Sequence, residues 1–123
     1  VHQMNRQDIL RDFGKIFIKE ARDSSIERVF DFIQGNLRTP ESIRFSEFYS
    51  PLSQDQKDDF KYLALLAIDS AIFRILRMAD QEVIDIKFND SDSISQMSDG
   101  LAGELFGDSG WMKEFSDYPS TTI

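Results

Sequence analysis

Residues 53–79 read SQDQKDDFKYLALLAIDSAIFRILRMA, and how this stretch folds decides the architecture. Ser53 followed by Gln56 is a capping box: the serine side chain takes a backbone N–H three residues on, and the glutamine reaches back. No Gly or Pro interrupts the residues that follow, so one long helix is expected over about 54–79. On a helical wheel Phe60, Leu63, Ala64, Ala67, Ile68, Ala71, Ile75 and Met78 share a wide face, extended on one side by Leu65, Ile72 and Leu76. That face is expected to be buried, which makes this the central helix. The remaining arc carries Asp59, Asp69, Ser70, Arg74 and Arg77, but also Leu66 and Phe73. Those two either pack on another helix, the favoured reading, or form a second interface. Asp69 lies between Ile68 and Ile72, where a carboxylate needs a partner such as an arginine or titrates upward. With Asp69, Arg74 and Arg77 inside it, the apolar stretch from Tyr62 to Met78 is too charged and too short for the ~20 apolar residues of a membrane span.

Upstream, Asn5 with Asp8 marks a helix start. Ile9, Leu10, Phe13, Ile16, Phe17 and Ala21 then recur at helical spacing, with Arg11, Asp12, Lys15, Lys19 and Glu20 outside. Asp23-Ser24-Ser25 breaks this pattern, and Ser24 with Glu27 makes a capping box for a second helix that Gly35-Asn36 ends. Thr39-Pro40 reads as an N-cap followed by proline at the first helical position. The segment after it, about 43–49, suits either a short helix or an irregular strand.

Downstream, Ile84, Ile86 and Phe88 alternate with Asp85 and Lys87, the one convincing strand signal, over 83–88. Such a strand pairs with 43–49 or offers its edge to a second chain. Four glycines from Gly100 to Gly110 then punctuate two short apolar-aromatic pieces, and residues 119–123 read as a frayed tail. The expected fold is a single, mainly α domain of about five helices around the 54–79 helix, with room for one or two short strands at 43–49 and 83–88.

Several function classes are set aside by residue types alone. There is no cysteine, so disulfides, thiolate metal sites and cysteine nucleophiles are out. The single histidine, His2, sits in Val1-His2-Gln3 ahead of Met4, which reads as a remnant of cloning. No signal peptide is visible, because the N-terminus turns charged at once. Serines have no histidine base and no nucleophile elbow. Asn89, Asp90, Asp92 and Asp99 invite a calcium reading, but counting from Asp90 puts Ile94 and Ser95 where a ligand and a glycine are required. The glycines match no phosphate-binding pattern. No cofactor, metal or direct nucleic-acid contact is therefore expected.

The charge is informative by its distribution. Residues 1–78 hold 12 acidic and 12 basic side chains, whereas residues 79–123 hold ten acids against Lys87 and Lys113, the whole net charge of −8. Trp111, Phe115 and Tyr118 lie among Asp108, Glu114 and Asp117. Either the rings dock into the core and the acids face water, or the segment is an acidic patch with aromatic anchors that steers a basic partner. On the second reading the contact residues are Asp85, Asp90, Asp92, Asp99, Asp108, Trp111, Glu114 and Asp117.

A short, cysteine-free acidic domain with helical capping signals and an acidic-aromatic segment from Asp80 to Tyr118 resembles bacterial toxin-immunity proteins, of the contact-dependent inhibition and colicin types. The resemblance lies in the character of the chain rather than in a motif. It implies a cytoplasmic protein that is no enzyme and that neutralises a basic nuclease toxin domain by covering it. A nucleic-acid mimic and a small carboxylate-using enzyme are the alternatives. A homodimer, through a strand edge or through Leu66 and Phe73, is compatible with the same residues.

Overall fold

The computed structural model describes residues 5–122, so His2 and the rest of residues 1–4 lie outside the description, as does Ile123. The chain opens with α1 (Arg6–Phe17), whose first turn is capped by Asn5: its side chain accepts from the Asp8 N–H at 2.9 Å. Contrary to the expected break at 23–25, the helix does not stop. It passes through a π turn (Ile18–Asp23) straight into α2 (Ser24–Gln34). Ser24 caps nothing; its hydroxyl donates to the Lys19 carbonyl at 3.1 Å. A π turn inserts one residue into a helix and shifts everything beyond it around the axis. Here it brings Ile18, Arg22 and Asp23 to the buried side.

Gly35 ends α2 in the left-handed conformation (φ 77°), which glycine adopts without steric cost. Thr39 and Pro40 start α3 (Pro40–Tyr49), the Thr39 hydroxyl accepting from the Ser42 N–H at 3.2 Å. The 43–49 segment is therefore helix. Buried Ser42 ties the α2–α3 corner together, donating to Phe32 O at 3.1 Å and accepting from Leu37 N at 3.3 Å. The central helix, α4 (Gln54–Asp80), begins with both bonds of the expected capping box.

The buried face of α4 is turned towards one margin of the expected one, where Leu65, Ile72 and Leu76 were placed. Leu65, Asp69, Ile72, Leu76 and Ala79 are inside, while Leu63, Ala67, Ala71, Ile75 and Met78 are exposed. Apolar side chains cover so much of this helix that a wheel does not fix which side turns inward. The buried Asp69 does, because only one azimuth meets a buried arginine. Of the proposed second interface, Leu66 is half-buried, and Phe73 packs on the core with its ring 5.9 Å from that of Phe106. Phe73 thus serves the monomer.

The 83–88 segment builds no strand ladder. Its partner 43–49 is helical, and only an isolated bridge joins Lys87 to Ser93. The alternation survives as facing: Ile86 and Phe88 turn towards the core while Lys87 stays outside. Two 3-10 turns (Ile94–Met97 and Ala102–Leu105) and α5 (Trp111–Phe115) complete the layer laid over α1 and α4. The core joins Leu10, Phe13 and Ile18 to Ile72, Leu76 and Ala79, and roofs them with Ile94, Leu101, Leu105, Trp111, Met112 and Phe115.

One close contact in this core is between α1 and α5. A Cβ built on Gly14 would lie 2.3 Å from Cε2 of Trp111, whose ring is held edge-on by Phe13 at 5.9 Å. Gly14→Ala should therefore lose about 1–3 kcal/mol by overpacking, although alanine is the better helix former. A lower urea midpoint with an unchanged slope is the expected result.

Candidate functional site

The residues from Asp80 to Thr122 are held by two polar devices. At the exit of α4, the Asp80 carboxylate accepts from the N–H groups of Leu101 (2.8 Å) and Ala102 (3.0 Å), positioning the second 3-10 turn. Beneath the C-terminal residues lies an ion pair that is 0 % exposed on both sides. Arg22 Nε donates to Asp69 Oδ1 at 2.6 Å and Nη2 to Oδ2 at 2.9 Å. The rest of the guanidinium reaches the end of the chain: Nη1 donates to Ser116 Oγ (2.8 Å) and Tyr118 O (3.4 Å), and Nη2 to Pro119 O (2.6 Å). All five guanidinium N–H donors are engaged. Thr121 Oγ1 donates to Asp69 at 2.6 Å, and Asp23 accepts from Ser116 Oγ (2.5 Å) and Asp117 N (2.9 Å).

This arrangement corrects the frayed tail expected at 119–123, since chain ends fray only when nothing ties them down, and here Pro119 and Thr121 are tied. It also gives Asp69 its arginine. Sequence reading missed Arg22 and Asp23 as its surroundings. The available signal was spacing, because Arg22 follows Ile18 by one helical turn and so shares its inward side. Among the described residues no buried side-chain nitrogen or oxygen lacks a hydrogen-bond partner. The clamp thus offers no free position to a substrate.

Of the eight residues expected to contact a partner, Trp111 is 4 % exposed and sits in the core, beside the buried Phe115. The rings of α5 point inward because Gly14 leaves a slot for the indole, and the indole therefore cannot be a surface anchor. The acids are exposed, but four of them are partly neutralised. Glu114 pairs with Arg11, Asp117 with Lys19 at 3.1 Å, Asp108 with Lys113 at 3.3 Å, and Asp85 with Lys87 at 3.9 Å. The hydrogen bond to Asp117, opposed by partial desolvation and aided by the charges of Asp117 and Asp23, raises the Lys19 pKa above its ordinary value. Tyr118 is also raised, first by burial and then by the charge of Glu27. Asp90, Asp92 and Asp99 are exposed and belong to no ion pair among the described residues.

The first of them, Asp90, lines a shallow groove between α1 and the 88–91 turn, together with Ile9, Asp12, Lys15, Ile16 and Phe88. Ile16 is half-exposed, and Asn89 and Asp90 both stand at positive φ (49° and 54°). Asn and Asp tolerate this conformation better than most residues. The turn is braced by Ser91, which accepts from Phe88 N at 3.0 Å and donates to Asp92 O at 2.7 Å. The resulting surface is an apolar floor with a charged margin of Asp12, Asp90 and Lys15.

Among the described residues no cluster of three His, Asp or Glu side chains could hold a metal ion, and no helix is long and apolar enough to cross a membrane. Comparison with models of known protein families, with curated proteins and with solved structures returned no match in any of the three.

Proposed function

We propose that this chain is a non-catalytic binding protein that neutralises a basic macromolecule, as an immunity protein neutralises a nuclease toxin domain in the cytoplasm. The observation that carries this reading is the set of uncompensated acids Asp90, Asp92 and Asp99, the first of them beside an apolar groove floored by Ile9, Ile16 and Phe88. Unpaired surface charge of one sign accelerates encounter with a partner of the other sign. Apolar side chains in the adjoining groove then supply area that is desolvated on contact. Phe88 and Ile16 take the anchoring role first assigned to Trp111. Asp85, Asp108, Glu114 and Asp117, already paired, contribute less to the field.

The test begins with a basic protein recovered from the native host on immobilised wild-type chain. Changing Asp90, Asp92 and Asp99 together to Lys should slow its association by about tenfold or more at low salt. The same change should flatten the dependence of the rate on ionic strength. An unchanged rate with an unchanged salt slope sinks the proposal.

A further inference from the structure

The face of α4 turned away from the core carries an apolar stripe about 27 Å long, from Phe60 to Met78, interrupted on one side by the exposed Arg74. Leu63 is 62 % exposed, Ile75 39 % and Met78 37 %, and Ala67 and Ala71 are open to solvent. Near its N-terminal end the stripe forms one side of a groove with Phe32 of α2 and Phe45 of α3. Scattered exposed apolar side chains need no explanation, but a row of them along the longest helix is a contact surface.

The order of residues along the stripe selects its occupant. Leu63 and Ile75 lie six residues either side of position 69, Phe60 and Met78 nine, and Ala67 and Ala71 two. Large side chains thus flank a small-residue centre symmetrically. Two copies of α4 laid antiparallel about a two-fold axis at that level set Phe60 against Met78 and Ala67 against Ala71, with Leu63 and Ile75 at one level on opposite margins and Arg74 beside Leu63 of the other copy. The alanines let the helix axes approach to about 8 Å at the crossing. Charge is compatible with the same arrangement. Asp59 and Arg77 project from one flank of α4, ten residues before and eight after position 69, and neither has an ion-pair partner among the described residues. The antiparallel arrangement brings each beside the other's counterpart, giving two equivalent cross-chain pairs. Such self-complementarity is the mark of an isologous interface.

We infer that the exposed face of α4 binds a second copy of this chain, forming an antiparallel two-fold dimer centred on Ala67 and Ala71. Ile75 and Met78 of each copy extend towards the Phe32–Phe45 groove of the other. This surface is on the opposite side of α4 from residues 94–115, so the dimer does not depend on the acidic face and the two readings fail separately.

Sedimentation equilibrium over micromolar to submillimolar concentrations is the experiment, with melting curves showing that each variant keeps its fold. The wild-type chain should dimerise reversibly. Ala67→Glu should weaken association by about a hundredfold or more, since it buries an unpaired charge in each copy. Arg77→Asp should weaken it by about tenfold, and adding Asp59→Arg should restore it by exchanging the signs. A chain that stays monomeric throughout overturns the inference. So does a dimer indifferent to Ala67→Glu, or a charge exchange that fails to restore what Arg77→Asp removes.

Discussion

Replacing Arg22 with Met is expected to lower the unfolding free energy by about 3–5 kcal/mol, the cost of removing one partner from a buried ion pair. Asp69 would keep only the Thr121 hydroxyl as a donor, and the carbonyls of Tyr118 and Pro119 would lose theirs. For a domain whose total stability is about 5–15 kcal/mol, such a loss leaves it near the edge of unfolding at room temperature. The mechanism is separable from simple loss of packing by a second substitution. Arg22→Met combined with Asp69→Leu removes both charges and keeps volume, and it should recover much of the loss, because apolar side chains often replace a buried pair at little cost. Denaturant midpoints of the two single variants and the double variant make the measurement. A single variant that melts with the wild type would show that the clamp is dispensable.

Trp111→Ala should have an effect of similar size, about 3–5 kcal/mol, because it empties the space between α1, α5 and the Phe13 ring. Since this is the only tryptophan, its fluorescence reports the same site directly. Emission in the wild type should have the blue-shifted maximum of a buried indole and should move to the red only through the cooperative unfolding transition. Under conditions where the Trp111→Ala chain remains folded, its association with a basic partner should be nearly normal, whereas the Asp90, Asp92 and Asp99 change should leave stability nearly untouched and slow association. Normal stability with lost binding in Trp111→Ala would return the indole to the surface and overturn the inward placement.

What could be read without coordinates was what depends on neighbours in sequence. The caps at Asn5, Thr39 and Ser53 and the stop at Gly35 each rest on a side chain or backbone group acting within a turn of itself. The inward side of α4 was not legible, because it is set by a bond between residues 47 apart in sequence, Arg22 and Asp69. The π turn escaped for a different reason. Ser24 and Glu27 satisfy the pattern of a helix start, and nothing local says that the preceding helix runs on. The alternation reported correctly that Ile86 and Phe88 face inward, but Ile84, grouped with them, is exposed, and a sheet needs a second strand whose only candidate is α3. The acids were rightly placed on the surface. Their pairing with Arg11 and Lys19 of the first helical stretch was invisible, since it depends on how α5 and the chain beyond it settle on that stretch.

The polar clamp also has a consequence for biosynthesis. Arg22 emerges from the ribosome well before Ser116, Tyr118 and Pro119, which complete its hydrogen bonds and follow it by 94, 96 and 97 residues. Contacts this distant in sequence close late, after the entropy of ordering the intervening chain has been overcome. A nascent chain that has reached only α5 therefore holds a half-satisfied guanidinium at the centre of its core. Residues 116–121 thus act as a latch on a helical stretch made 94 to 97 residues before them.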